Sequence, residues 1–467
     1  MKISLVAATL LFSPIAFSFA APEASAQKPN VILIMADDLG YRDLSSYGHP
    51  EIKTPVIDGM ALDGIKLTNF HSGATVCTPS RMALLTGAYP VRLGWTEGVA
   101  GYKMGARDGL SSEALTIAEI FKSVGYRTAI SGKWHIGNLP ETRPANQGFD
   151  ETYFIPLSNN QTTKILRGNE VVEDPFENRL LTEKFTTEAI RFIRENAGKP
   201  FFLYLPYSAP HFPVEPHPEW AGKSSFGDYG DVVEEMDFRI GEILATLDEL
   251  GIEDNTIVIF TSDNGPQNGE QALADPFRGT KWSALEGGTR VPCVMRWTST
   301  WPKNVVSDIP MNAMDFLPTL CEAAGIDWKS KSKGKPVIDG RNVFNSPSIL
   351  AATAEQPTEE LLYWEGMSDE PRAIRIGHWK LFFDRKYAVE GGGTKRATEE
   401  QAEKIKAIVE QTKPGDPLLF NLAEDPDETV NLSREFPDKV DELLNRAKQL
   451  KAGIDSLEKL EIATPKK

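Results

Sequence analysis

Two apolar runs far apart in the chain end in the same kind of side chain. Asn30-Val31-Ile32-Leu33-Ile34-Met35-Ala36 runs into Asp37-Asp38-Leu39-Gly40, and Thr256-Ile257-Val258-Ile259-Phe260-Thr261-Ser262 runs into Asp263-Asn264-Gly265. Near-continuous apolar stretches rich in β-branched residues fit central strands of a parallel sheet, buried on both faces. Carboxylates at the end of a buried strand are costly unless something neutralises them, and in open α/β sheets ligands bind at that end of the strands. Taken alone, Asp37-Asp38 also fits a helix cap with a solvated neighbour, and Asp263-Asn264-Gly265 an ordinary turn. The repetition discriminates. Asp37, Asp38, Asp263 and Asn264 form an all-oxygen set of the kind hard cations prefer, and the lack of His and Cys disfavours zinc. Ca2+ tolerates so irregular a set best, and Mg2+ is the second choice.

Two more strand-like runs follow the same plan. Tyr126 to Ser131 leads into Gly132-Lys133-Trp134-His135, and Phe201 to Leu205 leads into a proline-bearing turn that ends at His211. Lys133 and His135, just past a strand end, can point into one pocket from a turn, although a lone pair of this kind reads more simply as a surface lysine and a packed histidine. Helical patterns cover 115–124, 182–196 and 231–250, with another inside 310–325. Gly148 to about Leu180 reads as loops near the site. His217, set among prolines, reads as a surface residue.

After about residue 345 the pattern changes. Short runs at 361–364, 372–383 and 418–422 suggest a small antiparallel sheet with a helix, and Phe436 to Leu460 reads as a closing helix. Gly391-Gly392-Gly393 with Lys395-Arg396 reads as a mobile loop. A chain of 467 residues, 41% hydrophobic and 25% charged, can bury a large core without a disulfide staple. Cys293 and Cys321, both in apolar runs, read as buried free thiols. The net charge of −16 argues against a nucleic-acid partner, so any anion must be held by Arg and Lys placed locally. Residues 1–26 read as an export signal: Lys2, an apolar stretch interrupted by Ser13-Pro14, then Ala24-Ser25-Ala26. With no later run long enough to span a bilayer, the mature protein is expected in the periplasm or outside the cell, not in a membrane.

The most demanding local pattern is Cys77-Thr78-Pro79-Ser80-Arg81, followed by Leu84-Leu85-Thr86-Gly87. At average residue frequencies a chance C-x-P-S-R in a chain this long is on the order of one in a thousand. Its bland reading is a proline-started helix with an inert thiol. The stretch resembles the signature of the formylglycine-dependent sulfatases (arylsulfatase-like, type I), in which the Cys is oxidised to Cα-formylglycine. Gly125 to Gly137 resembles the second signature of that family. Phe277 to Pro292 resembles the segment that brings a lysine to the sulfate, here Lys281, with Arg290 left as a structural ion-pair former. Asp425 to Leu432 resembles a turn near the family's C-terminus.

The resemblance spans nearly all of the mature chain. It implies an alkaline-phosphatase-like α/β fold, a large mixed sheet flanked by helices over 27–350, with a small C-terminal α+β subdomain over 351–467. The implied activity is hydrolysis of sulfate monoesters, with a sulfated carbohydrate as natural substrate and a formylglycine-generating (sulfatase-maturing) enzyme as partner. The implied metal ligands are Asp37, Asp38, Asp263, Asn264 and position 77. A hydrated aldehyde at 77 has two hydroxyls: one, with its pKa lowered, attacks sulfur, and Asp263 accepts its proton. Lys133 and Lys281 hold the sulfate oxygens, and Arg81, one helical turn on, supports the ligand carboxylates. His211 or Lys281 protonates the departing alcohol, and His135 takes the proton of the second hydroxyl, which expels sulfate. Ser158 matches a family serine that contacts substrate. The family usually continues there with His-Asp, and this chain has Asn159-Asn160.

Two rival readings exist. A phosphomonoesterase or phosphodiesterase of the alkaline phosphatase superfamily would place Ser or Thr at the nucleophile and His-rich zinc sites around it, and both are missing. An inactive sulfate-ester-binding relative would keep the fold and leave Cys77 a thiol.

Overall fold

The computed structural model describes residues 28–101, 109–268, 271–333, 337–343, 360–365, 368–390, 397–456 and 460. The export signal, the 350/351 boundary and the loop at 391–396 lie outside them. Ten strands form one sheet: β1 (Asn30–Ala36), β2 (Ile65–Leu67), β4 (Arg127–Lys133), β5 (Glu151–Ile155), β6 (Ile165–Arg167), β7 (Glu170–Glu173), β8 (Phe201–Pro206), β9 (Thr256–Ser262), β10 (Cys293–Arg296) and β11 (Val305–Ser307). Their order is β11-β2-β10-β9-β1-β8-β4-β5-β6-β7. The centre, β9-β1-β8-β4-β5, is parallel, and β10, β6 and β7 join antiparallel to their neighbours. A separate pair, β3 (Phe70–His71) with β12 (Met311–Asn312), lies beside it.

Side chains alternate along β1, so its two faces feed two cores. Val31, Leu33 and Met35 pack with α2 (Cys77–Thr86), α3 (Ile117–Ser123) and α7 (Phe316–Ala323). Ile32, Ile34 and Ala36 pack with α1 (Pro55–Leu62), α4 (Leu181–Asn196) and α5 (Gly227–Glu249). One short helix, α6 (Glu286–Thr289), lies between α5 and α7 in sequence. Covering both faces makes β1 and β9 wholly buried, with unbroken apolar runs over 31–36 and 257–260. The C-terminal part is an antiparallel sheet of β13 (Glu360–Tyr363), β14 (Ala373–Ile376), β15 (Trp379–Phe382) and β16 (Leu418–Asn421), with helices over Glu399–Gln411 and Pro437–Asp455. Its core includes Ala83, Tyr89, Leu285 and Met314 from the larger part, so the two share one apolar contact.

Two expectations need correction. The 148–180 segment is not only loops: it supplies β5, β6 and β7 and completes one side of the main sheet. His217 is buried, with Nε2 3.3 Å from Glu183 of α4. Its carboxylate partner comes from a distant part of the chain. Cys293 and Cys321 are buried free thiols, Arg290 pairs with Glu286 at 3.3 Å, and Asp315 is buried and accepts the backbone N–H groups of Asn312 and Arg341.

Candidate active site

β1 and β9 are parallel neighbours in register, Ala36 opposite Ser262. The residues that follow each strand therefore emerge side by side. Asp38, at φ 64°, donates its N–H to Asp263 Oδ1 over 3.2 Å, and Asn264 Nδ2 donates to Asp38 Oδ1 over 2.7 Å. Gly265 lets the segment after β9 pack against residues 287–288, because a Cβ there would stand 1.9 Å from the Gly287 carbonyl oxygen. α2 begins at Cys77, and Gly87 closes it in the left-handed conformation. Ligand atoms of Asp37, Cys77 and Asp263 lie within 4.8 Å of one another, and so do those of Asp37, Asp38 and His211.

Three cations converge on the carboxylates. Arg81, one turn into α2, donates Nε and Nη2 to Asp263 Oδ2 at 3.0 and 2.7 Å and Nη1 to the Lys133 carbonyl at 3.0 Å; Nη2 is 3.5 Å from Asp37 Oδ1. Lys133 ends β4, and its Nζ lies 2.5 Å from Asp37 Oδ2 and 3.0 Å from Ser158 Oγ. Lys281 Nζ is 2.7 Å from Asp38 Oδ1 and 2.8 Å from Oδ2. All of these side chains are buried. Burial alone would raise the Asp37 pKa, but Lys133, His211, Arg81 and Lys281 together hold it well below the usual carboxylate range. Burial and the charge of Asp37 push Asp263 up to about 7 against the pull of Arg81.

The histidines are held in defined tautomers. Nδ1 of His211 is 2.7 Å from the Phe212 carbonyl, which only accepts, so Nδ1 carries the proton and Nε2, 3.7 Å from Asp38 Oδ2, is the free nitrogen of the neutral ring. Burial lowers its pKa to about 4. Nε2 of His135 donates to the Ala100 carbonyl at 3.3 Å, which leaves Nδ1 buried without a partner. Burial, then Lys133 and Arg81, hold His135 well below its ordinary pKa. The ring is thus a neutral base with an open acceptor.

The donor set fits a hard divalent cation. The Asp37 Oδ1 and Asn264 Oδ1 atoms are buried and lack hydrogen-bond partners, which is costly unless a ligand satisfies them. Three carboxylates (Asp37, Asp38, Asp263) balance three cations (Arg81, Lys133, Lys281). A divalent ion would make the cluster net positive, as an anionic ester requires.

The fold gathers the singled-out residues around one cluster. The His135 ring borders the cluster, near enough to Lys133, Arg81, Asp37 and His211 for their charges to act on it, and Thr78 fixes its backbone: the Thr78 hydroxyl donates to the His135 carbonyl at 2.8 Å and accepts the Ala100 N–H at 2.9 Å. Thr78 and Asn159 are further residues of the site. Asn159 Oδ1 is 3.3 Å from Ser158 Oγ, and its Nδ2 donates to Asn178 Oδ1 at 2.9 Å. Thr78 was open to recognition as the variable position inside the Cys77 motif. Asn159 stands out only as a departure from the family pattern.

Comparison with known proteins agrees with this geometry. The sulfatase family model matches residues 29–326, and the model of the C-terminal region of aryl-sulfatase matches 356–463. Arylsulfatase A of Bos taurus is 32% identical, over 93% of this chain and 89% of that protein. The structure of the PsFucS1 sulfatase from Pseudoalteromonas sp. aligns with a TM-score of 0.80 at 25% identity, over 94% of this chain and 92% of that one. The structure of Ps i-CgsB in complex with k-i-k-neocarrahexaose aligns with a TM-score of 0.75 at 27% identity, over 91% and 93%. With a sulfatase model covering most of the chain and its polar residues gathered where two central strands end, this protein belongs to the sulfatase family and hydrolyses sulfate esters.

Proposed function

We propose that Cys77 stands in the mature enzyme as Cα-formylglycine, and that the enzyme removes sulfate from carbohydrates. Asp37, Asp38, Asp263 and Asn264 would hold a divalent cation, Ca2+ before Mg2+. The observation that carries this reading is the approach of the Cys77 sulfur to the Asp37 and Asp263 carboxylates within 4.8 Å. That sulfur stands where the hydroxyls of a hydrated aldehyde would be. The cation and the hydrated aldehyde would supply positive charge beside the sulfate, an acidified hydroxyl, and a second hydroxyl that a serine lacks.

The chain's own residues supply the rest. Asp263 Oδ2 is engaged by Arg81, so Oδ1 is the oxygen that accepts the nucleophile's proton. Lys133 and Lys281, paired here with Asp37 and Asp38, turn their ammonium groups to the sulfate oxygens. His135 Nδ1 takes the proton of the second hydroxyl. Lys281 Nζ delivers a proton to the departing alcohol, and His211 Nε2 can do so only after it has itself taken one up. Ser158, bonded to Lys133, sets that lysine's position and borders the substrate.

The carbohydrate reading is supported by the relative solved with a bound neocarrahexaose and by the export signal read over 1–26. No helix among the described residues is long and apolar enough to cross a membrane. We place the mature enzyme in the periplasm or outside the cell, divided into a catalytic part to residue 350 and a C-terminal subdomain beyond it, and dependent on a sulfatase-maturing enzyme.

The test uses the enzyme co-produced with such a maturing enzyme and loaded with Ca2+. Aryl sulfate, aryl phosphate and a set of sulfated mono- and oligosaccharides are compared. Hydrolysis of sulfated sugars well above aryl phosphate is expected. Cys77→Ala is expected to abolish turnover without changing thermal unfolding. Turnover retained in Cys77→Ala, or a preference for phosphate, contradicts the reading.

A further inference from the structure

Only four Phe or Trp side chains are exposed among the described residues: Phe212, Phe238, Trp282 and Phe436. Two of them directly follow site residues in sequence. Phe212 follows His211 and is 42% exposed; Trp282 follows Lys281 and is 38% exposed. His211 and Lys281 converge on one carboxylate, with His211 Nε2 3.7 Å and Lys281 Nζ 2.8 Å from Asp38 Oδ2. Phe212 and Trp282 each stand one residue from a side chain that reaches this carboxylate.

The ring of Phe212 and the backbone of Trp282 are held by specific contacts. Phe212 lies on the imidazole of His211, with centroids 4.7 Å apart and planes 19° apart. Trp282 has a left-handed backbone, φ 78°, a conformation that bulky residues rarely adopt. Its backbone N–H donates to the Thr75 carbonyl at 2.9 Å, two residues before Cys77. Strained backbone of this kind persists where surrounding structure holds it, and it clusters at ligand sites. Exposed apolar area beside a polar cluster marks a binding surface.

We infer that Trp282 and Phe212 form the subsite for the alcohol half of the ester, and that they take a six-membered ring by its flat, C–H-bearing or aromatic face. A ring face presents weakly positive C–H edges or a π-surface to the negative face of an aromatic side chain. The carboxylates and cations below bind sulfate and cannot distinguish one alcohol from another. The two rings, one residue away from His211 and Lys281, fix how far the first ring stands from the ester. The inference rests on the sulfatase reading of the same site and adds the selection of the alcohol.

The experiment compares kcat/KM of the matured, Ca2+-loaded enzyme for three esters: 4-nitrophenyl sulfate, a hexose 6-sulfate and ethyl sulfate, which has no ring. The Ki of inorganic sulfate reports the sulfate pocket in each variant. In Trp282→Ala and Phe212→Ala, the preference for at least one ring ester over ethyl sulfate is expected to fall about tenfold, with the Ki of sulfate within twofold of wild type. Trp282→Phe is expected to recover the preference to within threefold. The ester whose preference falls further, aryl or pyranose, identifies the ring this subsite takes. A preference unchanged in both alanine variants, or lost to the same degree in Trp282→Phe, overturns the inference and leaves the sulfatase reading standing. A wild-type enzyme that hydrolyses none of the three esters overturns both.

Discussion

Asn264 Nδ2 donates to Asp38 Oδ1 over 2.7 Å, and the same side chain keeps its amide oxygen buried without a protein partner. One amide thus orders a carboxylate and offers a neutral oxygen beside it. Neutral oxygens complete the coordination of hard cations without adding charge. Asn264→Ala should weaken Ca2+ affinity by roughly 10- to 100-fold, the range typical for loss of a group that supports metal ligands. Titration calorimetry and the dependence of activity on added Ca2+ measure this. Unchanged affinity would remove Asn264 from the metal set.

Arg81 is wholly buried and is held by three hydrogen bonds, two to Asp263 and one to the Lys133 carbonyl. The proximity of Asp263 and Asp37 outweighs its burial and raises its pKa, so it stays charged. Arg81→Ala leaves Asp263 without its main partner. Removing one side of a buried ion pair costs about 3–5 kcal/mol. Denaturant unfolding of the metal-free protein should show that loss. A loss below about 1 kcal/mol, the level of an exposed pair, would mean that Asp263 finds another partner.

A second buried charge cluster joins the C-terminal sheet to the larger part. His71 Nε2 lies 3.0 Å from Glu286 Oε2, and Lys380 bridges Glu286 and Glu428 at 2.8 and 2.9 Å. Burial lowers the His71 pKa to about 4, even with Glu286 beside it. The unfolded chain takes up a proton near pH 6.5 and the native state only near 4. Stability is therefore fully present above pH 6.5 and falls as pH drops towards 4. The displacement corresponds to roughly 3 kcal/mol. Unfolding free energies at pH 7 and pH 4.5, in wild type and His71→Gln, test this. The pH-dependent loss should be smaller in the variant, and an equal loss in both would assign the acid sensitivity elsewhere.

The parts of the molecule that were legible in the sequence are those where local pattern and tertiary position coincide. β1 and β9 read as buried strands because two covered faces require an unbroken apolar run, and their polar ends meet because parallel neighbours finish at the same edge. β5, β6 and β7 were not legible. They are three to five residues long, and β7 has the sequence Glu-Val-Val-Glu with its valines exposed, so no apolar period marks them. His217 reads as a surface residue among prolines because Glu183, its partner, comes from α4. The role of Thr78 depends on the His135 carbonyl, which the fold alone brings to it.

The most direct test of the account is the mass of the tryptic peptide carrying position 77, from enzyme purified in active form. A peptide about 18 Da lighter than the cysteine form is expected, because an aldehyde replaces the thiol. A peptide with the full cysteine mass, from a preparation that hydrolyses sulfate esters at its full rate, would contradict it.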